Sequence, residues 1–228
     1  MKRCLLWLAL LGGVPMMSAA ERFVEVVPAE ACTAPRSEEL APGTGPVTDR
    51  AGEILERLAA GFRAMKGYEV DFALEAGEYR ARGSYAVEGL GYVLTLGEAE
   101  VYCDGKIRYE VDKERREVTI MEVDTASRNI LNNPVRAFDF LGDDYRAELL
   151  SEAGGKASIR LTPVSGSGAS AGTVTVTVLT ATMRPEALDY DYDGERIRVF
   201  ISRIASLADP LAGFDSSRFE GYEFIDFR

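Results

Sequence analysis

Residues 68–87 read YEVDFALEAGEYRARGSYAV. In the first half Tyr68, Val70, Phe72 and Leu74 alternate with Glu69, Asp71, Ala73 and Glu75. In the second half Tyr79, Ala81, Gly83, Tyr85 and Val87 alternate with Arg80, Arg82 and Ser84. A period of two puts every second side chain on one face, so each half is a strand with one wet side. The same alternation returns in GYVLTL (91–96), AEVYC (99–103), KIRYEV (106–111) and EVTIMEV (117–123). Between the runs stand turn signals: Glu88-Gly89, Gly97-Glu98, Asp104-Gly105 and the charged DKERRE. Hairpin following hairpin predicts a meandering antiparallel sheet.

Working outward, the stretch before Tyr68 changes period. Ile54, Leu55, Leu58, Phe62 and Met65 share one stripe at helical spacing, Thr48 or Asp49 stands where a cap is wanted, and Gly67 follows as a stop. Downstream, TASRNILNNPVRAFDFLG (125–142) lacks strand alternation and contains Pro134. It predicts a short helical segment lying across the sheet. Strands then resume in YRAELL, ASIRLTP, TVTVTVL, EALDYDY and RIRVFIS. The expected fold is therefore mainly β with α: an unclosed antiparallel half-barrel of about ten to eleven strands, lidded by the N-terminal helix and the mid-chain segment. This domain is expected to occupy 48–228.

Residues 1–20, MKRCLLWLALLGGVPMMSAA, have a basic start, a short apolar run and small residues before Ala20, the pattern of a secretory signal peptide. Residues 21–47 are rich in Pro, Ala, Glu and Gly without periodicity and read as a flexible linker or arm. The whole chain has a net charge of −11, and loss of Lys2 and Arg3 with the leader makes the balance still more acidic. Such a surface repels nucleic acid. An exported chain would let Cys32 and Cys103 form a disulfide, with two unpaired thiols as the alternative. Histidine is absent, which removes Ser-His-Asp and Cys-His catalysis and every histidine metal site. The chain reads as a binding protein and not an enzyme, with no cofactor implied.

One stretch imitates a metal loop. DYDYDGERIRVF (189–200) places Asp189, Asp191, Asp193 and Gly194 as an EF-hand loop does, but Phe200 stands where the closing glutamate belongs. Leu188, Tyr190 and Tyr192 alternate with the acids, and Ile197, Val199 and Ile201 alternate beyond the glycine. A hairpin with a two-residue Asp-Gly turn explains all of these positions, and no metal site is expected.

The order of these parts is the informative part. A leader, one amphipathic helix, strands containing VYCDGKIRYEV, an interruption with LNNPVRAFDFLG, more strands and the ending DPLAGFDSSRFEGYEFIDFR together resemble the LolA family of periplasmic lipoprotein carriers, especially its Bacteroidetes-type relatives. The resemblance implies a half-barrel whose apolar concave face is lidded by helices. It implies a periplasmic monomer that takes acylated lipoproteins from an inner-membrane lipoprotein release complex and hands them to an outer-membrane acceptor. Candidates for the acyl-chain wall are Phe72, Leu74, Tyr85, Tyr92, Leu94, Tyr109, Val111, Val118 and Ile120, and candidates for the lid are Phe138, Phe140 and Leu141. Ordinary core packing is the alternative for each, and strand parity leaves open which alternate set faces the cavity. A lipid-sensing or protein-binding scaffold on the same half-barrel is the alternative function. The arginine by which proteobacterial members latch the lid has no counterpart in the turn at Glu88-Gly89-Leu90.

Overall fold

The computed structural model describes residues 50–123, 145–164, 172–192 and 194–228. The helix α1 (Arg50–Arg63) comes first, with Glu53 in its first turn and Arg63 in its last, each at the end where its charge suits the helix dipole. Ala51, Ile54, Leu55, Leu58, Ala59 and Phe62 form its buried stripe. Gly67 is not its stop. It opens the first strand, where a Cβ would lie 3.0 Å from the Val87 carbonyl and 3.3 Å from Leu207.

Twelve strands form one open sheet. In chain order they are β1 (Gly67–Ala76), β2 (Tyr79–Glu88), β3 (Gly91–Leu96), β4 (Ala99–Cys103), β5 (Ile107–Asp112), β6 (Glu117–Glu122), β7 (Tyr145–Ala153), β8 (Lys156–Pro163), β9 (Thr173–Leu179), β10 (Arg184–Tyr192), β11 (Glu195–Ser206) and β12 (Glu223–Asp226). Their order across the sheet is β12-β6-β5-β4-β3-β2-β1-β11-β10-β9-β8-β7. Two meanders meet where β1 pairs with β11, and the edges β12 and β7 do not meet, so the sheet stays unclosed. Register shifts at Asp71/Phe72, Leu149/Ser151 and Pro185/Ala187 are bulges, the usual device for bending a strand.

The expected antiparallel sheet is found with one amendment. β12 adds a twelfth strand and pairs parallel to β6, with Phe224 beside Val118 and Asp226 beside Ile120. A parallel neighbour needs a long return connection, and the segment after β11 supplies it by crossing the sheet with the short 3-10 turn Ser216–Phe219. On either side of Asp193, which lies outside the described residues, β10 and β11 pair antiparallel, with Tyr190 facing Ile197 and Asp189 facing Arg198. Arg198 Nε donates to Asp189 Oδ1 at 2.5 Å, so one of the acids has a cross-strand cation as partner. Among the described residues no group of three or more acidic or cysteine side chains is placed to hold a metal, and no helix is long and apolar enough to cross a membrane.

Candidate functional site

Directly paired residues share a sheet face, so the register assigns the faces. One row runs Leu149, Ile159, Val176, Leu188, Val199, Leu74 and Ala81 from β7 across to β2. Farther on, Val70, Tyr85, Leu94 and Val101 line up across β1 to β4. The same face carries α1, since Ile54, Leu55, Leu58 and Phe62 belong to one core cluster with Val70, Tyr85, Val101, Ile159, Val176 and Leu188. Burying each large side chain of the helix stripe is worth about 1.5–3 kcal/mol. Arg50 fixes the helix start to the end of β7 through a two-pronged pair with Glu152, at 3.0 and 2.7 Å. The bonds from Arg50 hold the Glu152 carboxyl below its ordinary range.

Of the nine wall candidates, five lie on this helix face. Phe72, Leu94, Tyr85 and Tyr92 pack in or against the cluster with α1, and Leu74 sits in an adjoining cluster with Ala76, Leu96 and Ile197. Phe72 lies so close over Gly83 that a Cβ there would be 2.6 Å from its ring. The other four lie on the opposite face. Tyr109 pairs with Tyr102 and Ile120, and Val111 pairs with Glu100 and Val118, while Val101 and Cys103 on β4 face Glu110 and Arg108. The nine therefore do not form one wall. The apolar side changes over at β4, a strand buried on both faces. Phe138, Phe140 and Leu141 fall outside the described residues, as do the leader, the arm and Cys32. Among the described residues Cys103 has no cysteine partner; it is a buried thiol whose ionisation burial pushes up, and it accepts a hydrogen bond from the Gly105 N–H at 3.2 Å.

The second face is closed by the chain's own end. Phe214, Phe219 and Tyr222 pack on Tyr102, Tyr109, Val111, Val118 and Ile120. Phe214 stacks on Tyr109 at 4.1 Å between ring centres. Arg218 Nη1 donates to Tyr102 Oη at 2.7 Å, and Tyr102 Oη donates to Glu100 Oε2 at 2.6 Å. Lys113 Nζ completes the network 2.5 Å from Glu100 Oε1. Burial pushes the Glu100 carboxyl up, but the bonds from Lys113 and Tyr102 with the charges of Lys113 and Arg218 outweigh it and hold the group below its ordinary value. Arg116, left-handed at φ 56°, accepts the Glu223 N–H on its carbonyl and lays its guanidinium 5.5 Å from the Tyr222 ring centre. Tyr109, Val111, Val118 and Ile120, which the resemblance offers as acyl-chain wall, are the bed of a C-terminal strap.

Several solved structures are similar in fold. An uncharacterised conserved protein from Thermus thermophilus is similar over 77% of this chain and 98% of its own, at 9% identity and a TM-score of 0.48. A LolA superfamily protein is among the structures it resembles. That protein, from Nitrosomonas europaea, is covered over 96% of its length against 74% of this one, at 14% identity and a TM-score of 0.38. The Pseudomonas aeruginosa MucA/MucB complex offers another likeness, over 75% of this chain and 60% of the other, at 16% identity and a TM-score of 0.37. No protein-family model matches the chain, and no curated protein does.

Two sets of residues went unread in the sequence. Glu88, which the sequence offered only as a turn signal, accepts the Leu211 N–H at 3.1 Å and lies 3.9 Å from Lys66 Nζ, so it pins the start of the strap. Arg108 and Glu110 lie on the helix face, although charged residues on a strand ordinarily signal the wet side. Arg108 is only 5% exposed.

Proposed function

We propose that this protein is a periplasmic carrier that shields the acyl chains of lipoproteins against the helix face of its sheet. The observation that carries the reading is the form of the main core. An unclosed sheet presents an apolar face from β7 to β4, and much of its described cover is a single amphipathic helix instead of a second sheet. A helix at the start of the domain, held to the sheet edge by an exposed ion pair, can be displaced without unpairing a strand. Each acyl methylene taken from water contributes roughly 0.8 kcal/mol, so a rigid pocket for two or three chains would never release them. A helix that buries its own stripe in the empty state competes with the cargo and makes hand-over reversible. Cargo would come from an inner-membrane release complex and pass to an outer-membrane acceptor.

The test is direct. Purified protein binds a fluorescent acyl probe, an acylated lipoprotein displaces it, and the delipidated form of the same lipoprotein does not. Absence of probe binding sinks the reading. One observation favours a protein-binding scaffold instead: among the described strands β7 is an edge, with an exposed Leu150, and a sheet edge is where a partner strand can dock. Capture of acylated and delipidated lipoprotein with equal strength would support that alternative.

A further inference from the structure

The helix face changes character at the β3–β5 end. Tyr92, Cys103 and Arg108 line up across β3, β4 and β5, and in the next row stand Tyr85, Leu94, Val101 and Glu110. The Tyr85 and Tyr92 rings are 6.0 Å apart. Tyr92 is 1% exposed and Tyr85 8%. Tyr85 Oη, Tyr92 Oη, Arg108 Nε and Glu110 Oε1 are all buried, and none completes a hydrogen bond among the described residues. Glu110 Oε1 does lie 2.6 Å from Arg108 Nη2, but as a charge contact without hydrogen-bond alignment. The Cys103 thiol lies against the Tyr92 hydroxyl, and sulfur is at best a weak partner for it. Buried polar groups in folded proteins nearly always have partners. Four buried atoms without a completed hydrogen bond in one patch, next to the apolar row of Val70, Leu94 and Val101, point to a ligand that brings the missing bonds.

The chemistry of the patch narrows that ligand. Two phenols and an Nε–H can donate, and a carboxylate can accept. Arg108 and Glu110 cancel in charge, so an anionic head attracted by the guanidinium meets the carboxylate beside it, and a cationic head meets the reverse. What fits is an uncharged head with carbonyl oxygens to accept and an O–H or N–H to donate. Acyl esters and acyl amides have that pattern, and their hydrocarbon tails would continue onto the adjoining apolar row. We propose that Tyr85, Tyr92, Arg108 and Glu110 form a binding site for the uncharged ester or amide head of an acyl chain, which selects such heads over free fatty acids. This site rests on the carrier reading and adds a selectivity to it.

A pyrene-labelled acylglycerol serves as probe, with 1-lauroylglycerol and laurate as competitors at a pH where laurate is ionised. The glycerol ester displaces the probe about ten-fold better than laurate, the effect of one or two hydrogen bonds that only the ester completes. Tyr85→Phe and Tyr92→Phe each weaken ester binding several-fold, while the thermal midpoint holds or rises, because the Tyr85 hydroxyl has no hydrogen bond to lose and the Tyr92 hydroxyl has at most the weak Cys103 thiol. Glu110→Gln leaves Arg108 without its counter-charge, so laurate gains and the selectivity collapses. Equal displacement by ester and laurate, with both Phe variants binding as the parent does, overturns the proposal and leaves the carrier reading standing. No probe binding at all overturns both.

Discussion

At position 83 a methyl group has no room. A Cβ on Gly83 would sit 2.5 Å from the Thr95 carbonyl oxygen and 2.6 Å from the Phe72 ring. The ring can rotate away, but the carbonyl belongs to the β2–β3 ladder and cannot. Gly83→Ala is therefore expected to destabilise the domain by about 1–3 kcal/mol, the usual range for overpacking a core. It should read as a lower urea midpoint with an unchanged m-value, and adding Phe72→Leu should restore only part of the loss. Full recovery in the double variant would show that the backbone contact contributes nothing. Phe72 was legible in the sequence as an alternating apolar residue; the space it takes over Gly83 was not, because alternation reports the face and not the neighbour. Arg108 and Glu110 were hidden for the opposite reason. Their charge argues for water, and only a buried partner of opposite sign makes the inward position tolerable.

Among the elements, α1 was the most legible, since Ile54, Leu55, Leu58 and Phe62 are all buried as their spacing predicts. The strands β1 to β11 were legible from alternation and turns. β12 follows only from the resemblance, whose ending includes a closing strand ending in Asp226-Phe227-Arg228: it is four residues long, mostly exposed, and has no alternating pattern to find. If α1 competes with cargo for the helix face, weakening its packing has two effects of opposite sign. Leu58 is fully buried, so Leu58→Ala should cost about 2–5 kcal/mol of stability. The same substitution should tighten acyl-probe binding, because less of the cargo's binding free energy is spent displacing the helix. Thermal melting and probe titration on one preparation check both. A variant that loses stability and affinity together would make α1 part of the binding wall and not its competitor.

For the whole molecule, the two faces are covered by the two ends of the domain: the helix face by α1 and the β4–β6 face by the strap. Parity could not reveal this division, because it gives two alternating sets per strand and no rule for which set is inside once a strand is buried on both sides. The strap's grip is electrostatic as well as aromatic, and its pH dependence has a definite sign. Glu100 is held below its ordinary value of 4.5 in the folded state. Its contribution to stability is thus fully present above the ordinary glutamate range and is lost as pH falls through its lowered folded value. Asp226, held at about 2 by hydrogen bonds from Arg228, acts in the same direction at lower pH. Glu110 acts in the opposite direction: burial raises its folded value despite Arg108, so its contribution is present below the ordinary value and is lost as pH rises through the raised one. A global melting curve mixes these signs, so the measurement has to report the strap alone. Tyr102, Tyr109 and Tyr222 are three of the ten tyrosines that give the near-ultraviolet circular dichroism, so the strap's share is read as the difference between the parent and a variant without Tyr102, Tyr102→Phe. On acidification the tyrosine signal is expected to fall before the far-ultraviolet strand signal does. Glu100→Gln should weaken the near-ultraviolet signal already at neutral pH and flatten its dependence above the range where Asp226 titrates. A Gln variant that titrates as the parent does would remove Glu100 from control of the strap and leave the aromatic stacking of Phe214 on Tyr109 as its main hold.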